Sequence, residues 1–182
     1  MLKAKSNDLT QQNLFPTPAS GVPHRKFIST FRVALVKDRS VSFNRRSLSN
    51  SAQARPLICK LIEEYGNSDR EQFCILMLSA KNEIIGLNIV STGALFSAQV
   101  APREVLKAAI LANSAALILA HNHPSSDTHP SPEDLAVTEK IIKAASLLDI
   151  QVHEHLIVSL FDDRYYSFAD NGIIKQIYDK LG

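Results

Sequence analysis

The chain has 182 residues, 45% hydrophobic and 21% charged, an ordinary globular composition that excludes a disordered chain, a coiled coil or a collagen-like repeat. Its length suits one domain carrying an appendage. The net charge of +2 is unevenly placed: residues 1–50 hold nine Lys and Arg against Asp8 and Asp38, or +7, and the other 132 residues hold 11 basic and 16 acidic side chains, or −5. Two cysteines, Cys59 and Cys74, exclude a disulfide framework and a four-cysteine zinc site. The longest nearly apolar stretch, residues 108–120, is 13 residues long and contains Asn113 and Ser114, too short and too polar to cross a bilayer. The first eight residues carry two lysines and an aspartate with no apolar run behind them, unlike a secretory signal. These features set the expectation of a soluble, cytoplasmic protein without a membrane partner.

In chain order, residues 1–26 lack any sustained period and read as a flexible basic arm, with the domain proper over 27–182. Residues 27–36 (FISTFRVALV) are β-branched and aromatic enough for a strand. A polar connection over 44–51 leads to a helix over 54–65, ended by Gly66-Asn67-Ser68. Residues 72–79 (QFCILMLS) and 83–91 (EIIGLNIVS) read as strands, joined by Ala80-Lys81-Asn82 in a hairpin. Pro102 opens a helix that runs to about residue 113, Pro being harmless in the first turn. Residues 115–120 (AALILA) suit a buried strand, and a polar loop rich in Ser and Pro follows. Ser131-Pro132-Glu133-Asp134 combines a Ser cap, an internal Pro and first-turn acids, and Leu135, Thr138, Ile141, Ile142, Ala145 and Leu148 continue at helical spacing. Strands over 152–159 and 165–168 flank an Asp162-Asp163 turn. The alternation predicts an α/β fold with a mixed sheet flanked by helices.

Five of the six histidines fall between 121 and 155, and His121-Asn122-His123 directly follows the apolar strand. Side chains two apart on an extended chain point the same way, so two imidazoles are aimed at one point. Eleven residues after His123, Asp134 lies in the first turn of a helix, where the dipole favours a carboxylate. Two His and one Asp leave the fourth tetrahedral position of a zinc ion open, as in catalytic sites and unlike structural ones. Taken singly, paired histidines are often loop residues and Ser-Pro-Glu-Asp is a common helix start; the combined spacing is far more specific. His153-x-His155 forms a second same-face pair with no carboxylate at a helix start behind it. It reads as core or as support for a ligand, with His155 the better supporter.

The segment HNHPSSDTHPSPED, residues 121–134, resembles the JAMM motif of the JAB/MPN metallopeptidases, and more narrowly the RadC-like family. The likeness extends to Gly93-Ala94-Leu95, Pro102-Arg103-Glu104 and Glu154-His155, across residues 31–168. Three positions depart from the family's usual pattern: Ser126 for Gly, His129 for a small or polar residue and Glu154 for Asp. The resemblance implies a JAB/MPN-like fold with zinc held by His121, His123 and Asp134. It also implies a general base from an upstream strand, matching Glu71, with Glu63, Glu64, Glu83 and Glu104 as competitors, and a hydrogen bond from Ser131 to an oxyanion. Ser131 reads equally as a helix cap. If the usual Gly has a positive φ, Ser126 is strained.

Three functions follow as expectations. The first is a zinc-dependent hydrolase, a metallopeptidase or isopeptidase acting on a peptide or protein substrate. The second is a nucleic-acid-associated, DNA-repair-type protein contacting its partner through the basic N-terminal segment, although that segment shows neither a helix-turn-helix nor stacked aromatics. The third is a JAB scaffold without catalysis, against which intact His121, His123, Ser131 and Asp134 argue.

Overall fold

The computed structural model describes residues 30, 32–44, 46–93 and 100–182, and its regular elements all lie in the compact unit Ala34–Gly182. They run α1 (Ser51–Tyr65), β1 (Gln72–Leu78), β2 (Ile84–Thr92), α2 (Pro102–Leu111), β3 (Ala116–Asn122), α3 (Pro132–Ser146), β4 (Gln151–Val158), β5 (Tyr165–Ser167) and α4 (Ile173–Asp179). The arm expected over 1–26, and Ala94 and Leu95, lie outside the described residues.

The five strands form one sheet in the order β2-β1-β3-β4-β5. Only β3 and β4 are parallel, because the chain between them crosses over through α3. The central strands β1 and β3 are buried along their full length, so the sheet is covered on both faces. Phe73, Ile75, Met77, Leu117 and Leu119 pack against α2, α3 and α4 through Val105, Ala109, Ile141, Ile142 and Ile174. Cys74, Leu76, Leu78, Ile118 and Ala120 face the other way, onto Leu57, Ile58, Leu61 and Ile62 of α1. Strict alternation along β1 and β3 thus sorts one continuous apolar sequence into two cores.

Element boundaries follow local chemistry. The side chain of Asn50 accepts from the Gln53 backbone N–H, which starts α1 three residues earlier than its hydrophobic pattern indicates. Gly66 ends it, its N–H donating to the Ile62 carbonyl at 2.9 Å. A Cβ there would lie 2.8 Å from that carbonyl oxygen, so glycine is required. Strand β3 runs two residues further than AALILA indicates and carries His121 and Asn122 within it. Helix α4 is absent from the sequence reading: seven residues are too few to display a helical period, and Gly172 starts it at φ +74°. Its Tyr178 hydroxyl accepts from the Val152 N–H at 2.8 Å and fixes the helix to β4.

Two sequence expectations are corrected. Residues 32–36 form no strand, and Val33, Leu35 and Val36 are 72%, 52% and 82% exposed. β-Propensity produces a strand only where a ladder and a face to bury are available, and this segment has neither. The second is the pair His153 and His155. Leu117 opposes Val152 while Ile118 opposes Glu154, so His153 is the extra residue of a β-bulge. The bulge breaks the two-residue alternation: His153 is exposed and His155 is fully buried.

Between β3 and α3, Ser126 adopts φ +59° and its N–H donates to the His123 carbonyl at 2.9 Å, closing a turn. The strain expected from replacing Gly is therefore present. Ser126→Gly is expected to stabilise the protein by about 0.5–1 kcal/mol, read as a raised urea midpoint at unchanged slope. Leu119→Ala, at a fully buried site of β3, is expected to cost about 2–5 kcal/mol, whereas Leu147→Ala, 86% exposed, is expected to stay within about 0.5 kcal/mol in the same assay.

Candidate metal centre

The C-terminal end of β3 places the two histidines. His121 opposes Phe73 of β1 and projects onto the α2–α3–α4 face, where the Phe73 ring stacks on it at 6.1 Å. Two residues on, His123 turns to the same side, and the two Nε2 atoms lie 3.0 Å apart. Asn122 faces the other way and extends the ladder with its side chain. Its Oδ1 accepts from Gln72 N at 2.9 Å and its Nδ2 donates to the Arg70 carbonyl at 3.1 Å. That amide grips the start of β1 on both sides of Glu71. The Glu71 carbonyl also accepts from Gly93 N at 2.9 Å, and its carboxylate Oε1 comes to 4.0 Å from His123 Nε2.

Helix α3 delivers the carboxylate. Its first turn is a capping box: Asp134 N donates to Ser131 Oγ at 3.2 Å, while Asp134 Oδ2 accepts from Ser131 N at 2.7 Å and from Ser131 Oγ at 2.6 Å. Oδ2 is thereby satisfied. The other oxygen, Oδ1, is buried and has no hydrogen-bond partner, although His121 Nε2 stands 3.2 Å away without the alignment of a hydrogen bond. A buried carboxylate oxygen is rarely left in that condition, because the lost hydration must be compensated.

The outer ring nitrogens are held as well. The Asp127 carbonyl can only accept, so His123 carries a proton on Nδ1, 2.7 Å from that oxygen. His121 Nδ1 lies 2.8 Å from His155 Nε2, and His155 Nδ1 lies 2.6 Å from Thr138 Oγ1. Phe168 stacks on the His155 ring at 4.6 Å. Burial, reinforced by His121 nearby, pushes the His155 imidazole well below its usual pKa, so it is neutral. The carboxylate of Asp134 raises His123, against the opposing effect of burial. Burial also opposes ionisation of Asp134, yet His121, His123 and Ser131 outweigh it and hold the carboxyl well below the ordinary carboxylate range. The cluster is thus a carboxylate with two imidazoles that attract positive charge to one point.

Glu71, His121, His123 and Asp134 offer ligand atoms within 4.8 Å of one another and could hold a metal ion. Donor atoms about 2 Å from a common tetrahedral centre are spaced about 3.3 Å apart. The separations of 3.0 Å between the imidazoles and 3.2 Å from His121 to Asp134 match that value, and the orphaned Oδ1 is the atom such an ion would satisfy. Glu71 stands further off, at 4.0 Å from His123, at the partly open edge of the group. Its rivals are elsewhere: Glu63 is exposed on α1, Glu64 lies 3.6 Å from Lys60, Glu83 pairs with Arg46 at 3.1 Å and Glu104 pairs with Lys107 at 2.5 Å. Arg103 also engages Glu104, at 3.3 Å, and is spent in that local pair.

Two residues of the site escape the sequence reading. Asn122 reads as the spacer between two histidines, and Thr138 reads as one more inward position of an amphipathic helix. Only the fold shows that Asn122 grips the backbone on both sides of Glu71 and that Thr138 hydrogen-bonds His155, the ring partner of His121. Of the departures from the family's pattern, His129 is exposed on the rim, its Nδ1 2.9 Å from Asp127 Oδ1. Glu154 accepts from the N–H groups of His155 and Ala169 and from the hydroxyls of Ser51 and Ser167, which ties α1, β4 and β5 together.

Comparison with known proteins agrees with this architecture. Residues 48–173 match the RadC-like JAB domain family. The chain is 40% identical over 142 residues to a UPF0758 protein of Desulfitobacterium hafniense, covering 74% of this chain and 62% of the relative. It is 37% identical over 147 residues to a UPF0758 protein of Methanosarcina mazei, covering 81% and 62%. It is 44% identical over 106 residues to the UPF0758 protein YfjY of Escherichia coli, covering 58% and 65%. The aligned region thus spans about six-tenths of the length of these relatives. The five-stranded mixed sheet between helices is the JAB/MPN-like fold that the motif implies, and the chain belongs to the RadC-like JAB-domain family.

Proposed function

We propose that the domain is a zinc-dependent hydrolase of amide or isopeptide bonds in a peptide or protein substrate. The observation that carries this reading is the buried, unsatisfied Asp134 Oδ1 at 3.2 Å from His121 Nε2, with His123 Nε2 3.6 Å from the other oxygen of the same carboxylate and a second carboxylate, Glu71, at the edge of the group. A ligand set of two nitrogens and one carboxylate favours a borderline ion such as zinc over magnesium or calcium, which take oxygen-rich shells of six or more. His121, His123 and Asp134 would hold the zinc, which when bound would supply Lewis acidity toward a carbonyl and toward water.

The chain's own residues then divide the remaining work. Glu71, at the partly exposed side of the cluster, takes the proton of the attacking water and returns it to the leaving amine. Asn122 and Gly93 hold its backbone, so the carboxylate acts from a fixed position. Ser131 is engaged twice by Asp134, its hydroxyl hydrogen on Oδ2 and its oxygen on the backbone N–H. Helping an oxyanion requires exchange of the hydroxyl donation, while the capping bond can persist. No helix among the described residues is long and apolar enough to cross a membrane.

Elemental analysis of wild type, His123→Ala and Glu71→Gln, together with hydrolysis of peptide and isopeptide-linked libraries, tests the reading. One zinc per chain is expected in wild type and Glu71→Gln and none in His123→Ala. Hydrolysis is expected in wild type alone, with a loss of about 10²–10⁴-fold in Glu71→Gln. Zinc-loaded wild type that cleaves nothing in either library would defeat the hydrolase assignment.

A further inference from the structure

We infer that Thr138 and His155 are positioning residues of the cluster, a hydrogen-bond relay from the α3 backbone that holds the His121 proton on Nδ1 and aims its Nε2 lone pair at His123 and Asp134. The inference rests on the metal-centre reading above and adds to it the origin of the ligand's orientation.

The direction of the relay follows from the chemistry of each partner. Thr138 Oγ1 lies 2.5 Å from the carbonyl oxygen of Asp134, one helical turn earlier. A carbonyl oxygen only accepts, and two oxygens at that separation without a hydrogen between them repel, so the threonine hydroxyl hydrogen points to Asp134. Thr138 therefore accepts from His155 Nδ1, 2.6 Å away. His155 is fully buried with a hydroxyl and another imidazole as its two ring partners, so a charged ring there would be uncompensated. A neutral ring that donates from Nδ1 has a lone pair on Nε2, which accepts from His121 Nδ1 at 2.8 Å. His121 is thereby left with its lone pair on Nε2, 3.0 Å from His123 Nε2 and 3.2 Å from Asp134 Oδ1. The circuit begins at the Asp134 backbone and ends beside its carboxylate, so one residue supplies both an anion and the origin of the orientation of its neighbour. Phe73, edge-on at 5.6 Å, and Phe168, stacked at 4.6 Å, leave the His155 ring little freedom to turn over.

Removing the hydroxyl at constant shape breaks the first link. In Thr138→Val, His155 Nδ1 has no acceptor, and the ring gains by moving its proton to Nε2, which forces His121 to carry its own on Nε2 and blocks that lone pair. Thr138→Ser restores the hydroxyl. Two readouts separate the outcomes: two-bond ¹H–¹⁵N spectra of the metal-free proteins at about pH 8.5, where imidazoles are neutral, and zinc affinity by competition with a chromophoric chelator. Wild type and Thr138→Ser are expected to show His121 protonated on Nδ1. Thr138→Val is expected to shift it toward Nε2 and weaken zinc by about 10–100-fold, with Thr138→Ser recovering most of the loss. A His121 proton on Nε2 in metal-free wild type overturns the inference without any variant, as does a Thr138→Val protein with unchanged tautomer and affinity. Wild type that takes up no zinc would sink the metal reading while the tautomer comparison still decides the relay.

Discussion

The structure is organised around a local repulsion. Nitrogen lone pairs of two imidazoles and an oxygen of a carboxylate are held 3.0 and 3.2 Å apart, with His121 and Asp134 fully closed to water. Left to themselves these groups would separate or turn outward. The fold prevents it with ordinary devices: the pairing of β3 with β1 sets His121, the Asn122 amide ties β1 to the strand that bears the histidines, and the capping box locks Asp134. Each device also stabilises its own element, so the cost of crowding like groups is spread over the sheet and a helix start. Strain gathered at one place and compensated by its surroundings is characteristic of functional sites.

The topology explains where that place is. The β3-α3-β4 crossover makes the two strands parallel, so the C-terminal ends of both lie on one side of the sheet and the start of α3 returns across them. Ligands in α/β sheets commonly bind at such carboxyl ends. His121 and His155 come from neighbouring strands, Asp134 and Thr138 from successive turns of the intervening helix, and Glu71 from the antiparallel neighbour. The family match over residues 48–173 covers every one of these elements.

Much of this was legible in the sequence, for physical reasons that differ from residue to residue. The two-residue period of an extended chain placed His121 and His123 together, and Ser131-Pro132-Glu133-Asp134 announced a helix start with its acid in the first turn. Glu71 was accessible only through the family resemblance, because a lone acid at a strand start has no periodic partner to mark it. Thr138 could not be told from a core position, since an inward hydroxyl at helical spacing looks the same whether its partner is a backbone carbonyl or a distant histidine. Residues 32–36 had strand propensity but no ladder to join, and α4 was too short to display a period.

The bulge at His153 has a further consequence for how β4 tolerates changes of length. Val152 and His155 point to the same side of the sheet because one residue between them is left out of the pairing. A shorter β4 lacking that residue would pair without interruption and still direct the buried imidazole inward, since regular alternation from 152 gives the same facing. Gain or loss of a residue between His155 and Val158 has no such slack and turns Val158 onto the opposite layer. The strand therefore has one position where its spacing is elastic, and it lies immediately before the stretch where spacing must be kept.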